Sequence, residues 1–273
     1  MASAADLLAL TALSPGAPLP FEILDLRLYQ GVAVREPLLI ELSCRGEKAS
    51  LRQGERRALA WTARIRPCTE LPELPAPTSG GEAPAVGLAE FYGGLTFHGP
   101  LLQGITAVEG VGPDFVRGQV RTGTPERWQP DSPRARFTVD PLALDSAMQL
   151  SALVAWIRYR RAGTPMGIRR LVQLAPLPEG PIQAEVWTGE AEGDRFSGTV
   201  VLRDEQGRAL LLAEGVLAEL RVVEEDGGFV AAPRQVDFDQ WPEIETLDQR
   251  LQAAKFIGIQ NPFFRVHEGT ARN

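Results

Sequence analysis

An α+β fold built from two similar halves is predicted by three features of this 273-residue sequence. Each half offers one apolar helix and a run of short strands with period-two alternation. A stretch rich in proline and glycine separates the two. Hydrophobic residues make up 44% of the chain and charged residues 23%, enough to bury a sizeable core around a helix and its sheet.

In the first half, Ala4 to Leu13 reads as a short apolar helix stopped by Ser14-Pro15-Gly16. Phe21 to Leu28 alternates and reads as a strand with one buried face. Leu38 to Cys44 is a second strand, and Leu51 and the run Ala58 to Ile65 suggest two more, with Trp61 turned inward or into a cross-strand pair. From Pro67 to Gly87 the periodicity is lost, and this stretch reads as a linker of loop or polyproline character.

In the second half, Leu95 to Ile105 leads into a strand and Asp114 to Arg121 alternates. Arg136 to Val139 then leads into a helix from about Pro141 to Arg161, with proline suited to its first turn. After Gly163 the strands Ile168–Leu174, Ile182–Thr188, Phe196–Arg203 and Ala209–Val222 follow, the last three separated by turns at 192–194 and 204–207. The organisation is therefore a first half over 1–70, a linker over 71–90, a second half over 91–225 and a tail over 226–273. The first helix is the shorter of the two.

Composition narrows the function. A net charge of −7, from 28 basic and 35 acidic residues, argues against wholesale nucleic-acid binding, which needs a basic face. No apolar run is long enough to span a membrane, and the N-terminus has no basic flank and carries Asp6, unlike a secretory signal. Cys44 and Cys68 form no C-x-x-C, and with only His98 and His267 beside them no metal-ligand spacing is present. Two reduced thiols in a cytoplasmic protein, with no metal, is the expectation.

Two segments carry the chemistry. The first is Phe97-His98-Gly99-Pro100-Leu101-Leu102-Gln103-Gly104-Ile105, and the second is Asp140 to Gln149 with Asp145 and Gln149 inside it. A spacing of four puts Asp145 and Gln149 on one helical face. Leu144, Ala147, Met148 and Ala152 surround them, so the pair is either an ordinary solvated acid and amide or a buried polar site inside an apolar helix, where a lone acid is costly. Gly99-Pro100 sets a rigid bend, and Gly93-Gly94 allows close backbone approach.

In this order and separation, the two segments resemble the C-terminal half of a polyketide synthase dehydratase domain. That resemblance names the α+β fold a double hot-dog, two helix-wrapped antiparallel sheets in tandem, here with a shortened N-terminal half. It implies removal of water from a β-hydroxyacyl thioester carried by an acyl carrier protein. Asp145 would then protonate the departing hydroxyl while Gln149 orients it, and burial would raise the Asp145 pKa to keep a proton available. Tyr92, Phe97, His98, Gly99, Pro100 and Met148 would line the substrate tunnel. The histidine variant of the first segment is similar to iterative and polyunsaturated-fatty-acid-type synthases.

The family's partner motif, H-x-x-x-G-x-x-x-x-P with its catalytic base, is absent from these 273 residues. Either the sequence begins inside a longer domain or the domain has lost its base. Dehydration by the two-residue mechanism is therefore not expected of this chain. His98 would be a tunnel-lining residue or a substitute base. The alternatives are a non-catalytic domain kept for architecture or carrier docking, and an acid-only isomerase or cyclase.

The remaining readings concern partners. Arg158, Arg160 and Arg161, with Arg169 and Arg170 nearby, either serve the helix C-terminus or dock the acidic carrier protein and its phosphopantetheine arm, which holds the substrate in place of a cofactor. Trp241 to Glu245 precedes an amphipathic helix over Thr246 to Phe256, and the run Ile259 to Gly269 that follows is similar to the lead-in of a pyridoxal-phosphate-dependent α-oxoamine synthase, implying a multienzyme with such a domain next in line. Family members pair as dimers, so the resemblance also implies a homodimer.

Overall fold

A computed structural model describes residues 1–13, 18–30, 38–96, 98–128, 132, 134–189 and 191–222. Its elements in chain order are α1 (Ala2–Ala12), β1 (Phe21–Leu28), β2 (Ile40–Arg45), β3 (Lys48–Gln53), β4 (Ala58–Pro67), α2 (Leu88–Glu90), β5 (Ile105–Val111), β6 (Phe115–Arg121), α3 (Pro125–Trp128), α4 (Pro141–Tyr159), β7 (Arg161–Gln173), β8 (Pro181–Thr188), β9 (Arg195–Arg203) and β10 (Ala209–Val222). The ten strands form one antiparallel sheet in the order β2-β3-β4-β1-β7-β10-β9-β8-β6-β5. The first half supplies the four strands at one end and the second half the other six. The seam is the β1–β7 pair, with Ile23 opposite Leu171 and Arg27 opposite Gly167. The two expected sheets are thus joined edge to edge, which leaves neither half a bare strand at the seam.

α4 is the axis. Its buried residues lie all round the first four turns, as expected of a core helix rather than a surface one. It packs against β5 to β9, and α1 packs against β1 to β4 and against α4 itself. Asp140 caps its N-terminus, accepting from Leu142 N at 2.9 Å and Ala143 N at 3.0 Å, with Pro141 in the first turn. At the other end Arg160 adopts a left-handed conformation (φ 51°), and β7 begins at the next residue. This abrupt reversal explains why the strand expected from Ile168 starts seven residues earlier, with no loop around Gly163. The expected strand lead-in from Leu95 also differs. Phe91–Leu95 is a π-helical turn continuing α2, and β5 starts only at Ile105.

A buried acid fixes α1. Asp6 accepts a bidentate pair from Arg134 at 2.7 and 2.8 Å, and its Oδ1 also accepts from Thr138 N and Val139 N at 2.8 and 3.1 Å. Bidentate, charge-assisted bonds of this kind are geometrically exacting. They tie the short first helix to the segment that leads into α4.

The linker is structured. It crosses the outer face of the second half, and its backbone is bonded to the sheet beneath. Thr78 donates from N and Oγ1 to Glu185 Oε1 at 2.6 and 2.8 Å, Arg117 Nη1 donates to Thr78 O at 2.7 Å, and Arg203 Nη2 donates to Pro75 O at 2.7 Å. Glu82 bridges Val111, and the chain passes so close that a Cβ at Gly110 would lie 2.5 Å from Gly80 O. Under this strap, Arg203 Nε and Glu185 Oε2 pair at 2.6 Å, with side chains 5% and 0% exposed. Arg203→Ala should therefore lower the unfolding free energy by about 3–5 kcal/mol, because it strands a buried carboxylate. Replacing both residues by methionine should recover most of that loss. Urea denaturation of the three proteins checks this, and an unaffected midpoint in Arg203→Ala would refute the role of the latch.

Candidate functional site

The polar pair on α4 meets the first segment directly. Asp145 is just over one turn into α4, and Gln149 follows one turn later on the same face. The Gln149 amide group is saturated. Its Nε2 donates to Asp145 Oδ2 and to Leu102 O, both at 2.8 Å, and its Oε1 accepts from Tyr92 OH at 2.8 Å. Tyr92 sits in the π-helical turn, and its hydroxyl in turn accepts from Ile105 N at 3.1 Å. One amide thus links three segments separated by up to 57 residues.

His98 faces the same carboxylate. Its Nε2 lies 3.2 Å from Asp145 Oδ2, its Nδ1 is bonded to the Thr96 hydroxyl, and its backbone carbonyl accepts from Gln103 Nε2 at 2.8 Å. The His98 and Asp145 side chains retain 13% and 18% exposure, so the pair is enclosed but reachable. The loop that delivers His98 bends at Gly99-Pro100, where Leu102 N donates to Gly99 O at 2.9 Å, as expected of a proline-led turn. Close approach comes at Gly104 instead of Gly93. A Cβ at Gly104 would collide with Ser146 Oγ and the Leu142 side chain on α4, whereas Gly93 faces open space.

Electrostatics reverses one expectation. Burial pushes the Asp145 pKa upward, as the apolar helix suggested. The hydrogen bond and charge of His98, the charge of the Met1 amino group and the Gln149 bond outweigh it, holding the carboxyl below the ordinary aspartate range. Asp145 is therefore a carboxylate near neutral pH. Burial pushes the Tyr92 phenol up to about 12, against the Ile105 N–H bond and with help from the Asp145 charge, so it stays a neutral donor.

Of the residues expected at the site, Tyr92, His98, Asp145 and Gln149 come together. Met148 is 2% exposed and packs in the main core, Gly99 and Pro100 lie at the exposed surface of the turn, and Phe97 falls outside the described residues. Thr96, the Leu102 carbonyl and Gly104 were not singled out. Only the side-chain oxygen two residues before His98 hinted at a partner for its ring. Among the arginines, Arg158 donates to Thr188 Oγ1 at 2.8 Å and Arg161 pairs with Asp194 at 2.9 Å. Arg160 lies exposed over the Trp156 ring. The α-oxoamine synthase-like tail lies outside the described residues. No described helix is long and apolar enough to cross a membrane, and no group of three metal-ligating side chains occurs among the described residues.

Comparison with known proteins agrees with this picture. The sequence profile of the family described as polyketide synthase dehydratase N-terminal domain matches residues 70–228. No curated protein matches the chain significantly. Among solved structures, an isomerase-inactive variant of GphF DH1 superposes with a TM-score of 0.65 at 16% identity, covering 80% of this chain and 82% of that one. The dehydratase domain from the CurJ module of the curacin polyketide synthase gives 0.62 at 17% identity, covering 80% and 82%. The dehydratase domain of PpsC from Mycobacterium tuberculosis, in complex with C12:1-CoA, gives 0.63 at 23% identity, covering 80% and 83%. These likenesses show the double hot-dog fold.

The lowered Asp145 pKa carries a stability consequence. A carboxyl whose folded pKa lies below its unfolded value stabilises the fold above the ordinary aspartate range near pH 4, and that contribution is lost as pH falls through the folded value. The melting temperature of wild-type relative to Asp145→Asn should therefore be highest above about pH 5 and should decline below about pH 4. Scanning calorimetry of both proteins across this range checks it, and a difference that grows on acidification would contradict the assignment.

Proposed function

The chain belongs to the polyketide synthase dehydratase family, and on that premise we propose that it acts on a β-hydroxyacyl or enoyl thioester borne by the phosphopantetheine arm of an acyl carrier protein. The observation that carries this reading is the 3.2 Å contact between His98 Nε2 and Asp145 Oδ2, with Gln149 holding the same carboxylate oxygen. Among the described residues, His98 is the histidine that meets the helix acid, and the pair supplies both a proton donor and a proton acceptor. The C12:1-CoA bound by the PpsC relative supports a thioester as the substrate class.

The lowered pKa favours Asp145 as the base, the reverse of the role that the resemblance implies. With the β-hydroxyl against His98 Nε2 and the Cα–H against the Asp145 carboxylate, the imidazolium form of His98 gives its Nε2 proton to the hydroxyl oxygen and the Cβ–O bond breaks. The Cα proton passes to the Asp145 carboxylate, and the Cα–H electron pair becomes the double bond. Water leaves, and the proton on Asp145 returns to His98 Nε2 across their contact, restoring the starting pair. Gln149 and Tyr92 keep the carboxylate aligned throughout. The Thr96 hydroxyl on Nδ1 orients the ring, and Gln149 on Oδ2 orients the carboxylate.

The test is turnover of a carrier-bound β-hydroxyacyl thioester and hydration of its enoyl product. Asp145→Asn and His98→Gln should each lower kcat by about 10²–10⁴-fold, with the double variant little worse than either, because the two act as a unit. A wild-type chain that binds the loaded carrier but turns over neither substrate would overturn the catalytic reading and leave a non-catalytic carrier-docking domain.

A further inference from the structure

The turn that carries His98 is held from two sides, by α4 and by β6. Leu102 O accepts from Gln149 Nε2 of α4 at 2.8 Å. Gln103 O accepts from Arg121 Nη2 and Gly104 O from Arg121 N, both at 2.8 Å, and Arg121 is the last residue of β6. Three successive carbonyls are thus taken, so the peptide planes between 102 and 105 cannot rotate without breaking one of these bonds. The Gln103 side chain then reaches back across the turn, where its Nε2 donates to His98 O at 2.8 Å. A continuous path runs from the Arg121 guanidinium through Gln103 to the residue whose Nε2 lies 3.2 Å from Asp145 Oδ2.

Arg121 serves this turn more than it serves its own strand. Among the described residues its guanidinium has no carboxylate partner, its Nε is buried without a hydrogen bond, and its side-chain bond goes to Gln103 O. Other arginines of the sheet are neutralised: Arg117, four residues earlier in β6, pairs with Glu109, and Arg203 pairs with Glu185. A cation with an unpaired buried N–H and no counter-ion is costly to keep. Its charge also reaches the site. The Tyr92 phenol, raised chiefly by burial, is drawn part of the way back by the Ile105 N–H and by the Arg121 charge.

We infer that Arg121 is a positioning residue for His98, acting through Gln103, and that the His98–Asp145 contact depends on its guanidinium. The inference rests on the reading that this pair performs the proton transfers. It adds a residue of β6 whose hydrogen bonds reach neither the imidazole nor the carboxylate. The bond from Arg121 N to Gly104 O is a main-chain bond and survives replacement of the side chain.

Arg121→Met removes the guanidinium, while Arg121→Lys keeps a charge and a donor. Since a misplacement of about 1 Å can cost about 10²-fold, Arg121→Met should lower kcat by about that factor with little change in KM. Arg121→Lys should recover most of the loss. A spectroscopic readout separates this inference from the reaction. His98 and His267 are the only histidines, so in a His267→Gln background the ring-nitrogen resonances of His98 stand alone. Their response to Asp145→Asn reports the contact. That response should largely vanish in Arg121→Met and in Gln103→Leu, and should persist in Arg121→Lys. Gln103→Leu breaks the path at its second bond and leaves β6 untouched, so it carries the test where Arg121→Met does not keep the wild-type melting temperature. An undiminished response in Gln103→Leu, or in a folded Arg121→Met, would overturn the inference whether or not the wild-type chain turns over the thioester. A response lost in a chain whose wild type shows no turnover would uphold the positioning role and overturn the dehydration reading alone.

Discussion

A carboxylate and an amide carried into an apolar wrap by α4 are the constraint on which the rest of this structure depends. Buried polar groups without partners cost several kcal/mol, whereas a fully satisfied network rigidifies its surroundings. Gln149 meets the requirement by binding Asp145, Leu102 O and Tyr92 together. The loop from Thr96 to Gly104 is therefore held to the helix at fixed points, and Gly104, where a Cβ would strike Ser146 and Leu142 of α4, allows it to lie close. His98 reaches Asp145 because the backbone on either side of it is already anchored.

That arrangement also settles the charge of the site. Desolvation alone would make Asp145 a reluctant anion, and a neutral acid is what an apolar helix suggests. A histidine at 3.2 Å changes the balance, because hydrogen bonding and opposite charge favour the ionised form more than burial opposes it. The same carboxylate then raises the cost of ionising Tyr92, which keeps its proton and stays a donor to Gln149. The four side chains share one electrostatic state, so changing any one alters the others.

The outer face of the sheet answers to different rules. Over the second half it is sealed by the linker, whose extended backbone makes its hydrogen bonds to Glu185, Arg203 and Arg117. Over the first half it carries an excess of cations in an open cleft. The inner face builds the site, while the outer face of the second half carries the linker. The continuity of β1 with β7 lets one sheet do both.

Much of the fold was legible because it rests on local pattern. The strand runs read at 21–28, 182–188 and 196–203 became strands within a residue, and Pro141 marked the start of α4. Asp145 and Gln149 were readable as a pair because a spacing of four fixes their shared face whatever surrounds the helix. What surrounds it could not be read. Asp6 looked like a charge in an N-terminal helix, yet it is a buried acid held by a residue 128 positions away. His98 looked like a tunnel-lining residue or a substitute base, and the fold sets its contact with Asp145 across 47 residues of sequence and so inverts the expected pKa shift. The linker read only as loop or polyproline because its hydrogen bonds go to distant strands, to Glu185 and Arg203 more than a hundred residues away among them, rather than to its neighbours. The sequence by itself determined which residues would be helix, strand and polar pair, because propensity and periodicity act between near neighbours. Tertiary structure decided which charges meet, because desolvation and Coulomb energy depend on distances that only the closed sheet sets.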